Sequence, residues 1–193
     1  ADLHHPQGAG PHGFELTHRT VALVGLPGSG KSTIGRQLAR RLGLPFFDSD
    51  AVIEQRIGCS IAEFFREQGE ERFRDIESEV VALLAGGEPK VLSTGGGSVL
   101  RESNRRVLHG NALVVYLRSS PDEVFRRVRH DRNRPLLQVE DPLQKLRDLH
   151  AQRDPLYAET AHFTIDTGRP SVSTLVNMIV MQLDMSDIGQ QPT

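Results

Sequence analysis

The segment GLPGSGKS at residues 25–32 matches the pattern G-x-x-x-x-G-K-[ST], and it decides how the rest of the chain is interpreted. An apolar run at 20–25 comes before it, and Ile34, Leu38 and Leu42 follow it at helical spacing. Glycines between a strand and a helix let backbone N–H groups point at phosphate oxygens, and the helix N-terminus adds its positive dipole end. A plain glycine-rich turn is the alternative, but the flanking strand and helix favour a phosphate-binding loop.

The polar residues of this loop predict an ATP site that uses Mg²⁺. Lys31 can reach the β- and γ-phosphates, while the Ser32 hydroxyl can bind the metal ion. The predicted ATP contacts within the loop are Gly28, Ser29, Gly30, Lys31, Ser32 and Thr33.

Short apolar runs alternate with helix-period segments along the chain. The runs lie at 20–25, 44–48, 90–94, 112–117 and 162–166. Their near-continuous apolarity suits strands buried on both faces of a parallel sheet. Apolar residues recur at helical spacing after Lys31, across 60–84 and across 172–183. Strands that alternate with helices predict right-handed crossovers, so we expect a three-layer α/β domain with a central parallel sheet of about five strands.

Composition and charge argue against several classes of protein. The chain is 37% hydrophobic and 25% charged, and its net charge of −2 argues against a nucleic-acid-binding protein built on bulk positive charge. No apolar run approaches the length that spans a bilayer, and the first residues lack the apolar stretch of a secretory signal. Cys59 is the only cysteine, so we expect no intrachain disulfide. We expect a cytoplasmic protein that is monomeric and has no nucleic-acid or membrane partner.

The two ends of the chain differ from the segment between them. Residues 1–18 contain four His without an apolar period, so we predict a flexible N-terminal tail. A metal-binding His tract is the alternative, but these residues lack ligand spacing. Residues 19–185 form the predicted domain, and 186–193 form a C-terminal tail.

Two carboxylates follow the second apolar run directly, in the segment FFDSD at 46–50. Asp48 and Asp50 therefore lie at the C-terminal edge of a predicted strand, where ligands bind in open α/β sheets. One can serve near the metal ion and the other near an acceptor hydroxyl. The alternative is an Asp that caps a helix beginning near Ala51, but the neighbouring phosphate loop favours a functional role.

An ordered series of motifs makes the chain resemble the shikimate kinases over about residues 18–185. The series is the phosphate loop, DSD at 48–50, FRDIE at 73–77, STGGG at 93–97, RPLL at 134–137 and, after Arg153, DPLY at 154–157. The phosphate loop alone occurs in many unrelated NTPases, whereas the ordered series is specific. The resemblance implies a P-loop NTPase domain like that of the nucleoside monophosphate kinases, with an Arg-rich lid at about 122–140.

The resemblance also assigns an acceptor pocket. Shikimate carries one carboxylate and three hydroxyls, and the family positions that hold it fall on Asp50, Arg74, Gly96 and Arg153. Both arginines can bind the carboxylate as planar, bidentate donors, and Asp50 can accept from the hydroxyls. From the residues alone, three other interpretations stay open. They are a solvated helix arginine at 153, a weak surface pair of Arg74 with Glu77, and a flexible turn at 95–97.

The metal site implied by the resemblance departs from the general pattern of P-loop proteins. The strand at 90–94 offers no Walker-B Asp, because its polar end is Ser93. Asp48 is therefore expected to hold Mg²⁺ together with Ser32.

Two further nucleotide contacts come from the Arg-rich segment. Arg134 of RPLL is expected to contact ATP and stabilise the transferring phosphoryl group, and Arg127 is expected to contact ATP as well. A solvated basic face is the alternative for this segment. Residues 165–170 resemble the adenine-binding loop of the family.

The predicted reaction transfers the γ-phosphoryl group of ATP to the 3-hydroxyl of shikimate. Its products are shikimate 3-phosphate and ADP, on the route to chorismate and the aromatic amino acids. Lys31, Asp50 and Arg134 are the predicted catalytic residues. A kinase for another polyol or for a nucleoside monophosphate would lack the joint presence of Arg74, the glycine triplet and Arg153. A nucleotide-sensing module without catalysis would lack one of the three catalytic residues, and all three are present.

Overall fold

The computed structural model describes residues 19–130 and 138–190, with side chains up to 186. Five parallel strands form one sheet in the order β2-β3-β1-β4-β5. The strands are β1 Thr20–Val24, β2 Phe46–Asp48, β3 Val91–Ser93, β4 Ala112–Arg118 and β5 Phe163–Asp166. The predicted parallel sheet is confirmed, and each strand falls on one of the five apolar runs.

Eight helices connect and follow these strands within the described residues. They are α1 Lys31–Leu42, α2 Ser49–Ile57, α3 Ile61–Gln68, α4 Glu70–Ala85, α5 Glu102–Asn111, α6 Pro121–Val128, α7 Pro142–Thr160 and α8 Val172–Gln190.

The helices cover both faces of the sheet, which gives the domain its three layers. Neighbouring residues of the central strand β1 point to opposite faces and join different cores. Leu23 belongs to the core formed with Leu38 of α1 and Ile179 of α8. Ala22 belongs to the core on the other face, which includes Val80 of α4. The predicted three-layer α/β fold is thus confirmed.

Two helix boundaries differ from those that the sequence suggests. The helix-period segment at 60–84 forms two helices, because Gly69 between α3 and α4 has a φ of +87°, which few side chains tolerate. Helix α2 begins at Ser49 rather than near Ala51, because Asp48 caps its N-terminus.

The Arg-rich segment is only partly within the described residues. The predicted lid at 122–140 begins inside helix α6, whose Val124 and Val128 are buried. Arg134, with the rest of the RPLL motif, lies outside the described residues, as does the predicted tail at 1–18. In the part of the chain that the structure describes, no helix has the length and apolarity needed to cross a membrane.

Three polar segments meet at one edge of the sheet. The phosphate loop follows β1, the DSD segment follows β2 and the glycine triplet follows β3, and these strands are neighbours. The chain passes from β1 to one side of the sheet and later places β4 on the other side. Strand β1 therefore ends at a topological switch point, where open α/β sheets bind their ligands.

Candidate active site

The phosphate loop joins β1 to α1 with its backbone turned inward. Gly30 caps α1 in the left-handed conformation, at a φ of +95°, and supplies no side-chain acceptor to the first turn of the helix. The first N–H groups of the helix can therefore donate to an anionic ligand. Lys31 is buried, and its Nζ donates to the carbonyl oxygens of Gly25, at 2.8 Å, and Leu26, at 2.9 Å. The loop thus fixes the ammonium group beside the cavity that it encloses.

A cavity of about 370 Å³ opens above this loop. It is lined by residues of the loop and by Asp48, Asp50, Ser93, Thr94, Gly95, Gly96, Arg127 and Val128. The predicted nucleotide contacts Gly28, Gly30, Lys31, Ser32 and Thr33 all line it. Ser29 does not, because its side chain is buried and packs near Gly25.

Asp48 serves the fold and faces the cavity at the same time. Its Oδ1 accepts from the backbone N–H of Asp50 at 2.9 Å, which caps α2. Its Oδ2 accepts from the Ser32 hydroxyl at 3.2 Å. The capping role and the functional role that the sequence left as alternatives therefore use different oxygens of one carboxylate. A hydroxyl and a carboxylate side by side are hard oxygen ligands of the kind that Mg²⁺ prefers.

Asp50 also lines the cavity and holds its proton more tightly than an ordinary Asp. Burial, together with the nearby carboxylates of Asp48 and Glu77, raises its pKa from 3.8 to about 6, although Lys31 opposes the shift. At neutral pH the carboxylate is largely ionised, yet it is close enough to its pKa to take up a proton. A base with this pKa suits proton transfer from an alcohol.

A second cavity, of about 680 Å³, adjoins the first, and Pro27 lines both. Its walls come from α3, α4 and α7, and they include Phe65, Arg74, Leu149 and Arg153. Two of the predicted acceptor-binding residues are therefore brought together here. A partly apolar wall that carries Arg74, Lys145 and Arg153 beside a single carboxylate, Glu70, suits a small carboxylate ligand.

The glycine triplet at 95–97 separates the two cavities, and each glycine faces a different predicted acceptor residue. A Cβ on Gly95 would lie 2.5 Å from Asp50 Oδ1, and a Cβ on Gly96 would lie 2.7 Å from Pro27 Cδ and 3.3 Å from Arg153 Nη1. A Cβ on Gly97 would collide with the guanidinium group of Arg74. Only glycine lets the three side chains approach this backbone so closely, so the triplet is more than a flexible turn.

Arg74 is held in place by a buried carboxylate. Its Nη1 donates to Glu77 Oε1 at 2.8 Å, and Glu77, only 1% exposed, also accepts from the Ser98 hydroxyl at 3.3 Å. The Arg74 side chain is 13% exposed and lies 5.1 Å from the centre of the Phe73 ring. The interpretation as a weak surface pair is therefore wrong, because both partners are shielded from water.

Arg153 is half-buried on the inner side of α7. Its Nη1 is close to Gly96, and its Nε is buried without a hydrogen-bond partner in the described structure. The neighbouring Tyr157 is fully buried, and burial raises the pKa of its hydroxyl to about 12, although the charge of Arg153 opposes this rise. The interpretation as a solvated helix arginine does not fit this position.

Arg127 reaches the phosphate loop from helix α6. Its Nη1 donates to the Gly28 carbonyl at 3.1 Å, and its Nη2 pairs with Glu123 at 2.6 Å. Arg127 thus lines the cavity above the phosphate loop, and its contact with ATP stays a prediction, whereas Arg134 lies outside the described residues.

Two residues that support the site were missed by the sequence reasoning. The buried Ser49 hydroxyl accepts from the backbone N–H of Gly95 at 3.0 Å. The Tyr157 hydroxyl donates to the Gly96 carbonyl at 2.7 Å. Both residues lie inside the quoted motifs, DSD and DPLY, but their partners are backbone atoms of a distant loop. Only the fold shows that they hold the triplet in place.

Comparison with known proteins agrees with this geometry. A model of the family described as shikimate kinase matches residues 27–184. The chain is 54% identical over 175 residues to the shikimate kinase of Burkholderia thailandensis, across 91% of this chain and 95% of that protein. It is 58% identical over 172 residues to the shikimate kinase of Paracidovorax citrulli, across 88% of this chain and 94% of that protein.

A solved structure gives the same result. The shikimate kinase from Acinetobacter baumannii in complex with shikimate superimposes with a TM-score of 0.84 at 44% identity, covering 92% of this chain and 98% of that one. The chain belongs to the shikimate kinase family.

Proposed function

We propose that the protein transfers the γ-phosphoryl group of ATP to the 3-hydroxyl of shikimate, giving shikimate 3-phosphate and ADP on the route to chorismate. The observation that carries this proposal is the glycine triplet. It brings Asp50, Arg153 and Arg74 to one strip of backbone between a phosphate cavity and an apolar, cationic cavity. This order matches an acceptor with a hydroxyl at one end and a carboxylate at the other.

Recognition of the acceptor rests on charge and on shape. Arg74 and Arg153 bind the carboxylate, and Glu77 keeps Arg74 in the orientation that this needs. Asp50 and the backbone at Gly96 bind the hydroxyl end. A neutral polyol would bring no carboxylate to the half-buried Arg153, and Arg74 would keep only Glu77 and Glu70 as partners, so both arginines would lose their charge-assisted contacts with the ligand.

Recognition of the donor rests mostly on backbone groups. Residues 28–33 surround the phosphates with N–H groups, and Lys31 and Arg127 add positive charge. The segment at 165–170, which begins in the last residues of β5, takes the adenine. Ser32 and Asp48 would hold Mg²⁺ with the phosphates, and the ion would neutralise part of their charge.

The chemical step needs placement and charge stabilisation more than covalent chemistry. The bond between the γ-phosphorus and the bridging oxygen of ADP breaks as the shikimate 3-oxygen bonds to phosphorus. Asp50 accepts the hydroxyl proton, and Lys31 stabilises the charge that develops on the phosphates. Arg134, outside the described residues, is assigned the transferring phosphoryl group by the family resemblance.

Product analysis tests the proposal. Purified protein with MgATP and shikimate should give a monophosphate whose phosphorus couples to the proton on carbon 3 in ³¹P–¹H NMR. The Lys31→Ala variant, prepared in the same way, is the control for contaminating kinases. A phosphate on another hydroxyl, or inorganic phosphate as the main product, would contradict the proposed placement of the acceptor.

A further inference from the structure

Glu123 lies between two segments of the nucleotide site that are far apart in sequence. Its Oε2 accepts from Arg127 Nη2 and from the Thr167 hydroxyl, both at 2.6 Å. Arg127 donates onward to the Gly28 carbonyl of the phosphate loop, while Thr167 follows β5 at the start of the proposed adenine loop. A single carboxylate oxygen therefore links the phosphate side of the site to the base side.

The direction of this chain of hydrogen bonds can be assigned from the chemistry of its members. An ionised carboxylate only accepts, so the Thr167 hydroxyl must use its one hydrogen on Glu123. The Ser119 hydroxyl, 2.5 Å from the Thr167 hydroxyl, must then be the donor of that pair. The order runs from Ser119 to Thr167 to Glu123, and from Arg127 to Glu123. Both branches of hydrogen bonds therefore end at the Glu123 carboxylate.

These hydrogen bonds join side chains that are largely buried, so each polar group needs a partner. Ser119 and Thr167 are 1% and 3% exposed, and the Glu123 side chain is 11% exposed. A carboxylate in such surroundings is stable only when its charge is matched, and Arg127 supplies the matching charge. The backbone of the loop also closes on the carboxylate, because a Cβ on Gly168 would lie 3.8 Å from Glu123 Oε1.

We propose that Glu123 is a positioning residue for the nucleotide, which holds Arg127 against the phosphate loop and the Thr167 loop against the end of β4. The proposal rests on the ATP site of the proposed function. Glu123 does not line the nucleotide cavity itself, so it acts through Arg127 and Thr167. Its loss should weaken binding of ATP and ADP without changing binding of shikimate, whose cavity lies on the other side of the triplet.

One substitution can remove the charge of Glu123 while it keeps the role of this residue in the helix cap. Glu123 is also the third residue of α6, where its Oε1 accepts from the backbone N–H of Ser120 at 3.4 Å in a capping box. Glutamine supports the same capping box, so Glu123→Gln keeps the shape and the cap while it removes the charge. Thr167→Val, also close in shape, removes the donor to Glu123 on the base side, together with the acceptor of the Ser119 hydroxyl. Ser120→Ala is the matched control, because it removes the cap hydroxyl that accepts from Glu123 N–H but touches neither Arg127 nor Thr167.

The test measures KM for ATP and for shikimate, together with the dissociation constant of ADP by calorimetry. Glu123→Gln should raise KM for ATP and the ADP dissociation constant by about tenfold, the size expected for loss of one charge-assisted contact, with KM for shikimate within about twofold. Thr167→Val should raise KM for ATP and the ADP dissociation constant by roughly threefold to fivefold, the size expected for loss of a neutral hydrogen bond. Ser120→Ala should lower the melting temperature and leave all three constants unchanged.

A double-mutant cycle with Arg127→Ala completes the test. The effects of Glu123→Gln and Arg127→Ala should be strongly non-additive, because one residue acts through the other. Additive effects, or equal rises in KM for both substrates, would show a merely structural role and overturn the proposal. Normal ADP binding in Glu123→Gln with weakened binding in Arg127→Ala would overturn it while leaving the ATP site intact. Normal binding in both variants would remove Arg127 from the proposed ATP site, and the inference with it.

Discussion

The donor half of the site and its acceptor half share Pro27 but are built in different ways. The donor half consists of residues 25–33 with Asp48 and Arg127, and its main contacts come from one short stretch of backbone. The acceptor half consists of Asp50, Arg74, residues 95–97 and Arg153, which come from four separate elements. The first is local and common to many P-loop proteins. The second depends on the whole fold, and in the proposed function it determines which alcohol is phosphorylated.

This difference predicts two kinds of variant. Changes in the donor half should reduce turnover with any acceptor. Changes in the acceptor half should alter the use of shikimate while ATP binding stays near that of the wild type.

The largest effect is expected for Lys31→Ala in the donor half. The variant loses the only ammonium group that lines the described nucleotide cavity, so turnover should fall by roughly 10³-fold or more. The matched control is Lys90→Ala, since Lys90 is also a buried lysine and donates to a carbonyl, that of Gly86, at 2.7 Å, away from both cavities. A steady-state ADP-release assay measures both. Comparable losses in the two variants would mean that buried lysines matter here for folding alone.

A smaller but still severe effect is expected for Asp50→Asn, at the border of the two halves. An amide cannot take up the hydroxyl proton, so kcat should fall by about 10²-fold or more. The dissociation constant of ATP, measured by calorimetry, should stay near the wild-type value. If ATP binding weakens as much as turnover, Asp50 belongs to the donor half and the roles assigned to the two aspartates are wrong.

Gly97→Ala tests the acceptor half through its backbone. The new methyl group must displace the Arg74 guanidinium, which is the flexible end of a side chain, so the fold should survive. KM for shikimate should rise by about ten- to a hundredfold, the range expected when a charge-assisted contact is lost, with KM for ATP unchanged.

Gly110→Ala is the control for this glycine, because a Cβ there meets nothing within 4 Å and the residue lies in helix α5. Its kinetic constants should equal those of the wild type. Parallel rises in KM for both substrates of Gly97→Ala would indicate a general distortion instead.

The smallest effect concerns stability and pH. The pKa of Asp50 is about 6 in the folded protein and 3.8 ordinarily, so the folded state binds this proton more tightly than the unfolded chain does. The ionised carboxylate therefore lowers stability as the pH rises from about 4 to above 6, by at most about 3 kcal/mol. Without Mg²⁺ or nucleotide, Asp50→Asn should melt a few degrees above the wild type at pH 8, and the gap should close towards pH 4.

Thermal scans at several pH values check this last prediction. The difference in melting temperature between Asp50→Asn and the wild type should shrink as the pH falls. A difference that grows as the pH falls would have the wrong sign, and it would show that burial does not raise the pKa of Asp50.

The two halves also differ in how much the sequence reveals. The loop at 25–32 is contiguous and its contacts are backbone groups, so its position after β1 could be predicted from spacing alone. The sheet could also be predicted from the sequence, because its inner strands β1, β3 and β4 are buried and mostly apolar, whereas the edge strands β2 and β5 are partly exposed. The ends of helices could be predicted less well, because a single residue, such as Gly69 or Asp48, determines where a helix begins or ends.

The acceptor half could be located only through the family resemblance. Arg74 and Glu77 have the spacing of an ordinary surface pair, and nothing local indicates that Ser98 and the triplet bury them. Ser49 and Tyr157 bind the backbone of Gly95 and Gly96, which lie 46 and 61 residues away in sequence. Such contacts depend on how β2, β3 and α7 are arranged, which no short pattern encodes.

If the acceptor half selects shikimate, the protein should discriminate sharply between alcohols, and a comparison of acceptors measures this. ADP release should be measured with MgATP and, in parallel, shikimate, quinate, gluconate or CMP at equal concentrations. We expect rapid ADP release with shikimate and much slower release with the other three acceptors. Equal or faster turnover with gluconate or CMP would contradict the assignment of the acceptor half, while the donor half would stand as the site of a kinase for another acceptor.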